Sequence, residues 1–435
     1  MPSPCGSPPF GSIVSVTVTR LGVLEASTHM LAGVRPLESE AIPLEQAAGR
    51  VLARDVVSTV FLPPHDNASM DGFAARSDDV RGSTSERPSR LRVIGTIAAG
   101  SSPTRALVRG EAARIMTGAY VPAGADCVIR VEDTTANADG ISVLDDRDAG
   151  RNIRRRGEDV RAEQVVMRTG TAIAAPHIGV LASVGCAEPL VYRRPRVAIL
   201  ATGDELVALD CFDEVQGGTR IVSSNSYALA AAVRAAGGEP VPLGIAPDDP
   251  SALAGRLREA EGCDLVLTSG GVSVGDFDYT RRVIAELGGT LSLWRVRMRP
   301  GAPLGFGSVF GVPWLGLPGN PVSALVTFEL FGRPLIRTLA GHTRPHRRTI
   351  GVTLGDAVHL GAPLTHFLRA VLDSDTTGVP VARLTGAQSS GMLTSMSAAD
   401  VLLLVPPDPL DVPAGTPLRA LPLDGDLGGS DRFLA

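Results

Sequence analysis

The chain has 435 residues, of which 44% are hydrophobic and 20% charged, an ordinary composition for a globular protein of about three domains. Its formal net charge of −5 excludes a surface built as a whole for nucleic acid or for an acidic membrane. No run of about 18 apolar residues occurs, so the sequence predicts no membrane-spanning helix.

The N-terminus, residues 1–20, is rich in Pro and Ser near its start, and it is predicted to be a disordered tail and not a signal peptide. The five cysteines are scattered along the chain without a C-x-x-C pair. This spacing argues against a disulfide framework and a structural zinc site. It fits a reducing compartment, so we expect a cytoplasmic protein.

In the N-terminal half, residues 21–60 carry apolar side chains at helical spacing, which predicts helical structure. Residues 61–72 hold too many polar and turn-forming residues for a regular element. Residues 91–150 alternate short β-rich runs with Gly, Pro and Asp. This pattern predicts a small all-β insertion.

From residue 196 onward, the pattern changes to strands that alternate with helices. The predicted strands are 196–201, 241–245, 264–268 and 291–296, and the predicted helices are 224–236, 249–260, 279–287 and 320–339. This alternation is typical of a parallel sheet covered by helices on both faces. Residues 349–420 show strand-length runs without a long helix, which predicts a C-terminal β-barrel or sandwich.

Three polar loops follow strands of this α/β unit, where the carboxyl ends of parallel strands form a ligand-binding rim. They are T-G-D-E-L (202–206), T-S-G-G-V-S-V-G-D-F-D (268–278) and L-P-G-N-P-V-S (317–323). Their backbone N–H groups and hydroxyls suit a phosphate or another oxyanion, and Asn320 begins a helix, which also favours an anion. One such loop is as well explained by a structural turn, but three together favour a binding site. No P-loop or dinucleotide-binding fingerprint is present.

The same rim carries four carboxylates, which are candidate metal ligands: Glu205, Asp248, Asp276 and Asp278. Carboxylates would repel a bare phosphate, but a hard cation such as Mg²⁺ can bridge carboxylate and phosphate oxygens. The alternative is that these acids cap helices, and this alternative is strongest for Asp248.

Two arginine-rich segments balance these acids. Residues 151–159 hold four arginines and two carboxylates, and Arg295, Arg297 and Arg299 alternate along one predicted strand, so they would share a face. Arginine forks suit phosphate or another tetrahedral oxyanion. A solvated charged surface is the alternative for either segment taken alone.

Two further polar segments, residues 66–72 and 116–119, are irregular, and loops of this kind often carry function. With the loops above they complete six motifs that resemble, in the same order, those of the MoeA and gephyrin E-domain family. The motifs are D-N-A-S-M-D-G-F-A (66–74), R-I-M-T-G-A (114–119), N-I-R-R-R-G-E-D (152–159), A-T-G-D-E-L (201–206), T-S-G-G-V-S-V-G (268–275) and L-P-G-N-P-V-S (317–323). The resemblance spans nearly the whole chain.

The resemblance implies a multidomain α/β fold in an elongated homodimer. The subunit would combine a MoaB/MogA-like parallel-sheet α/β domain with an elongated helical and β-containing N-terminal region, a β-rich insertion and a C-terminal β-barrel. The expected domain limits are 21–62 with 151–193, 63–150, 194–345 and 346–422. The active site would lie between the α/β domain of one subunit and the insertion of the other.

The activity implied by the resemblance is insertion of molybdate into adenylylated molybdopterin (molybdopterin-AMP), with a divalent cation, usually Mg²⁺, and release of AMP. Transient contacts with the molybdopterin adenylyltransferase and with apo-molybdoenzymes are expected, and contacts with nucleic acid or membrane are not. The candidate catalytic residues are Asp71, Thr117, Glu205 and Asp278. The candidate substrate-binding residues are Arg154, Asp159, Thr202, Gly203, Asp248, Ser269, Gly270, Gly271, Ser273, Arg295, Arg299, Pro318, Gly319 and Asn320.

The sequence departs from the family pattern at a few positions. Arg295 and Arg299 stand where the family often has lysine, and Ala302 leaves a third such position neutral. Residues 67–69 transpose the usual Ser and Ala, and Ser223 replaces an acidic residue. These departures keep three alternatives open: a non-catalytic scaffold, the related adenylyltransferase step, and a paralogue for a different metal or client. The retained acids favour the insertion enzyme.

Overall fold

The computed structural model describes residues 20–271, 277–374 and 379–423, so nearly all of the predicted N-terminal tail lies outside the described residues. Within these ranges, no helix is both long and apolar enough to cross a membrane. The elements form four groups, namely an N-terminal region, an inserted β-sheet, an α/β domain and a C-terminal barrel.

The N-terminal region is built from two stretches of chain that flank the inserted sheet. Its elements are the helices Val23–Leu31 and Ala175–Ser183, the 3₁₀ turn Leu44–Gln46, and the strands Ser39–Ala41, Val56–Val57, Asn67–Ala68, Ile153–Arg154, Val165–Met167 and Leu190–Tyr192. Each strand of the first stretch pairs antiparallel with a strand of the second, so the region closes on itself around the insertion.

The prediction of helical structure throughout residues 21–60 is wrong beyond the first helix. That helix ends at Leu31, and the chain continues as short strands and turns. Pro36 and Pro43 interrupt this stretch, and the residue before a proline is disfavoured in a helix. The apolar side chains instead pack in separate places, for example Met30 against the α/β domain and Leu52 against the second helix.

The insertion is a six-stranded, mostly antiparallel sheet. In sheet order its strands are Cys127–Arg130, Gly72–Ala75, Glu111–Ile115, Ser89–Ile97, Gly140–Val143 and Thr134–Asn137, and the short helical turns Ser77–Val80 and Val131–Asp133 join it. Apolar side chains on its two faces form two small cores, one around Phe73 and Ile129 and the other around Ala74 and Ile115.

The α/β domain contains a six-stranded sheet whose first four strands are parallel. In sheet order the strands are Glu239–Ala246, Arg196–Thr202, Leu265–Ser269, Val312–Leu317, Pro303–Val309 and Thr290–Arg295. The helical elements are Leu209–Gly217, Ser224–Ala236, Pro250–Arg258, Phe277–Glu286, Pro321–Thr327, Phe328–Gly332 and Arg333–Leu339, with the short strands Leu206–Val207 and Ile221–Val222. Separate cores lie on the two faces of the sheet, which confirms the predicted layering.

The sequence interpretation missed the strand Pro303–Val309, which runs antiparallel to its neighbours. The chain reverses at Phe310 and Gly311, both of which have positive φ (53° and 77°), as a two-residue hairpin turn requires. This hairpin has no helix between its strands, so a pattern of alternating strands and helices does not predict it.

The C-terminal region is a closed five-stranded barrel, as predicted. Its strands in order are Thr365–Ser374, Pro380–Leu384, Ile350–Leu354, Pro417–Pro422 and Val401–Val405, and the last strand pairs with the first. The strands Val358–His359 and Asp411–Val412 and the helix Leu393–Ser397 complete the region. The strand Met298–Arg299, which comes from within the α/β domain, pairs with the barrel and joins the two units.

Candidate active site

The three predicted loops meet around one cavity beyond the carboxyl ends of the parallel strands. This cavity, hereafter the loop cavity, has a volume of about 690 Å³. Most of the predicted residues from the α/β domain line it: Thr202, Gly203, Glu205, Asp248, Ser269, Gly270, Gly271, Gly319 and Asn320. Because the parallel strands all end at this rim, the alternation of strands and helices in the sequence was sufficient to predict that these residues lie close together.

Two glycines lie at crowded positions in the wall of the loop cavity, and at Gly270 the absence of a side chain lets two loops approach each other closely. Gly270 has a φ of +95°, and a Cβ placed there would lie 2.4 Å from the carbonyl oxygen of Thr202. A Cβ at Gly203 would lie 2.5 Å from the Oε2 atom of Glu205. At Gly270 the neighbour is backbone, so a larger residue would displace the cavity wall. At Gly203 a larger residue would be opposed by the φ of +149° and would have to move the Glu205 carboxylate.

Asn225 ties the loops together, and the sequence interpretation did not assign it to the site. Its Nδ2 atom donates to Ser269 Oγ and to the carbonyl oxygen of Gly319, each at 2.8 Å. Its Oδ1 atom is buried without a hydrogen-bond partner among the residues that the structure describes, as is the Oγ1 atom of Thr202. Buried polar atoms are rarely left unpaired, so these two oxygens point to a ligand.

The helix Ser224–Ala236 directs its N-terminus into the loop cavity. Ser223, Ser224 and Asn225, the residues at its start, all line the cavity. The helix is 13 residues long, and the positive end of such a helix stabilises an anion. The polar run S-S-N-S at residues 223–226 is the signal in the sequence for this arrangement, and the predicted helix 224–236 did not by itself assign these residues to the site.

Two of the four candidate metal ligands, Glu205 and Asp248, are exposed carboxylates that line the loop cavity. The backbone N–H of Asp248 donates to Asp204 Oδ1 at 3.1 Å, which fixes the loop that carries it. Asp276 and Ser273 lie outside the described residues. The backbone of Asp278 belongs to the helix Phe277–Glu286, but its side chain is also outside them.

No cluster of three or more His, Cys, Asp or Glu side chains that could hold a metal occurs in the part of the chain described. The loop cavity nevertheless offers the carboxylates of Glu205 and Asp248 and the unpaired Oδ1 atom of Asn225. This donor set consists of oxygen alone, which is the set that Mg²⁺ prefers. The residues present therefore fit a hard divalent cation.

A second, larger cavity of about 960 Å³ lies between the α/β domain and the barrel. Arg299, Ala302, Pro318 and His366 line this barrel cavity, and Asn320 lines both cavities, so the two are neighbours. The guanidinium of Arg299 lies beside Gly361, with its Nη1 atom 3.4 Å from the position of a Cβ there. Among the described residues Arg299 forms no ion pair, so its charge is available to a bound anion.

The prediction that Arg295, Arg297 and Arg299 share one face of one strand is wrong. The strand ends at Arg295, and Met298–Arg299 pairs with the barrel instead. The backbone leaves the sheet between them because the N–H of Arg297 donates to the carbonyl of Leu21 rather than to a neighbouring strand. Among the described residues that line the two cavities, only Arg299 of the three is present.

The candidates in the N-terminal half lie elsewhere in the same chain. Asp71 Oδ1 accepts hydrogen bonds from the backbone N–H and the Oγ1 atom of Thr117, both at 2.7 Å. These two bonds lower the pKa of Asp71, so it stays ionised at neutral pH. Arg154 and Asp159 are exposed, and none of these four side chains is among the described residues that line the loop cavity of their own chain.

Comparison with known proteins identifies the family. Three protein-family models match the chain. The family model described as "MoeA N-terminal region (domain I and II)" matches residues 21–185, the one described as "Probable molybdopterin binding domain" matches residues 198–338, and the one described as "MoeA C-terminal region (domain IV)" matches residues 351–423. A protein of Nostoc sp. named molybdopterin molybdenumtransferase is 39% identical over 375 residues, which is 85% of each chain. The chain belongs to the MoeA family.

Other members of the MoeA family agree with this assignment. Molybdopterin molybdenumtransferase 2 of Mycobacterium tuberculosis is 38% identical over 90% of this chain and 96% of its own. The crystal structure of the molybdopterin biosynthesis MoeA protein from Pyrococcus horikoshii superposes with a TM-score of 0.80 and 29% identity, over 93% of this chain and 100% of that one. The resemblance inferred from the six motifs is therefore confirmed.

Proposed function

We propose that this MoeA-family chain is a molybdopterin molybdenumtransferase, which inserts molybdate into molybdopterin-AMP and releases AMP to give molybdenum cofactor. The observation that carries the proposal is the lining of the loop cavity, which combines a helix start and glycine backbone with the carboxylates of Glu205 and Asp248. A diphosphate bridged by a cation needs both kinds of group at once. The names of the relatives support the same activity.

Release of AMP is the hydrolysis of a phosphoanhydride, in which water attacks phosphorus and AMP departs. The N-terminus of the helix Ser224–Ala236 and the backbone of Gly270 and Gly271 bind the phosphate oxygens. Glu205, Asp248 and the Oδ1 atom of Asn225 would hold Mg²⁺, which supplies positive charge to the phosphate oxygens when bound. We assign Asp278 to the same set.

The neighbouring barrel cavity is the proposed position of molybdate. Arg299 offers a guanidinium that forms no ion pair with the described residues, and Ser323, Ser389 and Ser390 line the same walls. A tetrahedral dianion suits such a set of charged and hydroxyl donors. Because Asn320 lines both cavities, molybdate held here lies beside the substrate in the loop cavity. Ala302 lines this wall without contributing a charge, so Arg299 carries more of the binding.

We further propose that the active form is a cytoplasmic homodimer with two composite sites. Asp71 and Thr117 are joined by two hydrogen bonds on an exposed face of the insertion. Such a preorganised carboxylate at the surface suits a role in another subunit's cavity. A second copy of the chain would bring Asp71, Thr117, Arg154 and Asp159 to the loop cavity.

A pure scaffold would not need these acids, so we do not favour that alternative.

The proposal is tested by incubating the purified protein with molybdopterin-AMP, molybdate and Mg²⁺. We expect release of AMP, measured by chromatography, and activation of an added apo-molybdoenzyme. Chelation of Mg²⁺ should stop AMP release, and an excess of Mg²⁺ should restore it. If folded protein releases no AMP when all three components are present, the proposed activity is wrong.

A further inference from the structure

The barrel cavity brings a histidine next to Arg299. In the parallel pairing between Met298–Arg299 and the first barrel strand, Arg299 is the register partner of His366. Both residues line the cavity, and His366 is only 5% exposed. The imidazole is therefore held in the cavity wall by the sheet and does not move freely in solvent.

One hydrogen bond determines which nitrogen of this imidazole carries its proton. His366 Nδ1 lies 2.8 Å from the carbonyl oxygen of Leu364. A carbonyl can only accept, so Nδ1 is the donor and Nε2 keeps its lone pair in the neutral ring. Nε2 forms no hydrogen bond with the residues that the structure describes, so it is available to a ligand in the cavity.

Burial of His366 favours the neutral ring while no anion is present. Burial is the largest influence and lowers the pKa of His366. The hydrogen bond to the Leu364 carbonyl opposes burial and raises the pKa, and the charge of Arg299 makes the smallest contribution and lowers it. The barrel strand on its other side contributes the apolar Val405. The remaining titratable group at this cavity, among the described residues, is the exposed His359, whose Nδ1 pairs with Asp411 Oδ1 at 2.6 Å.

We propose that His366 binds the tetrahedral oxyanion together with Arg299 and takes up one proton when the oxyanion enters. A dianion brings two negative charges to a cavity in which Arg299 supplies one positive charge. Protonation of Nε2 supplies the second charge and a charge-assisted N–H donor. This inference rests on the proposed function, because the oxyanion at this place would be molybdate.

Proton uptake fixes the direction of the pH dependence. The bound dianion raises the pKa of His366 above its value in the free protein, so the affinity for molybdate increases as pH falls through the raised pKa. The dependence reaches at most about tenfold per pH unit, as expected for one proton. It levels off below the pKa of the free protein, where His366 is already charged.

Isothermal titration calorimetry tests the inference with molybdate as the only ligand. Titrations at one pH in HEPES and in Tris, whose heats of ionisation differ, give the number of protons taken up. We expect the wild-type protein to take up a clear fraction of one proton between pH 6 and 8. The same enthalpy in both buffers would overturn the inference, whatever the variants show.

Two substitutions identify the group that titrates. His366→Asn keeps a donor for the Leu364 carbonyl but cannot gain a proton, so we expect it to abolish uptake and weaken binding by about tenfold. His359→Asn, in the same cavity, should keep the uptake. Uptake that persists in His366→Asn would contradict the assignment. Binding without uptake leaves the proposed function standing, whereas absence of molybdate binding to wild-type protein would overturn both.

Discussion

Replacement of Glu205 by Gln is expected to lower the rate of AMP release by about 100-fold or more. Glu205 lines the loop cavity, and its carboxylate forms no ion pair among the residues that the structure describes. The amide keeps the size of the side chain but removes the charge that would hold Mg²⁺. The measurement is the initial rate of AMP release from molybdopterin-AMP at saturating Mg²⁺.

A matched control separates this effect from a general loss of negative charge. Glu214 is exposed on the neighbouring 3₁₀ segment Leu209–Gly217 and is not among the residues that line the cavity. We expect Glu214→Gln to keep the wild-type rate and both variants to unfold within about 1 kcal/mol of wild type. A wild-type rate in Glu205→Gln would remove this residue from the mechanism.

Replacement of Gly270 by Ala is expected to reduce AMP release by about 100-fold or more, because several donors would move together. The new Cβ would lie 2.4 Å from the carbonyl oxygen of Thr202, at a backbone φ of +95°. The loop that contains Gly270 must therefore shift away from the strand Arg196–Thr202, and its backbone N–H groups would move out of position. We also expect the variant to lose about 1–3 kcal/mol of stability, measured by denaturant unfolding.

Gly255→Ala is the matched control, because it makes the same chemical change at a position with open space around it. Gly255 lies within the helix Pro250–Arg258, and a Cβ there meets no atom within 4 Å. Alanine is a better helix former, so stability should rise by about 0.5–1 kcal/mol while the rate stays unchanged. If Gly270→Ala released AMP as fast as Gly255→Ala, close packing of the two loops would not matter for AMP release.

The residue pattern was sufficient to predict the α/β domain and most of the loop cavity, whereas for the C-terminal region it left a barrel and a sandwich open until the family resemblance indicated a barrel. The reason is geometric, since each parallel strand ends at the same rim, and the strands that lead to Thr202 and Gly270 contain the apolar runs 197–201 and 265–267. Local patterns of this kind predict secondary structure without knowledge of the tertiary packing. The metal ligands remain a prediction, because Asp276 and the side chain of Asp278 lie outside the described residues.

What the sequence did not reveal depends on contacts between distant segments. Asn225 belongs to a helix start, and only the folded chain places its amide against Ser269 and Gly319. Arg295 and Arg299 were assigned to one strand because alternation alone does not show where a chain changes sheets. The neighbourhood of His366 likewise arises from pairing between the α/β domain and the barrel.

A mixed dimer tests most directly whether the active site combines the loop cavity of one chain with Asp71 of its partner. Chains carrying Asp71→Asn or Glu205→Gln are co-expressed with different affinity tags, and the dimer that holds one of each is purified. Each homodimer should be nearly inactive. The mixed dimer should release AMP at about half the wild-type rate, because one of its two symmetric sites keeps both residues. A mixed dimer as inactive as the two homodimers would contradict a site shared between subunits.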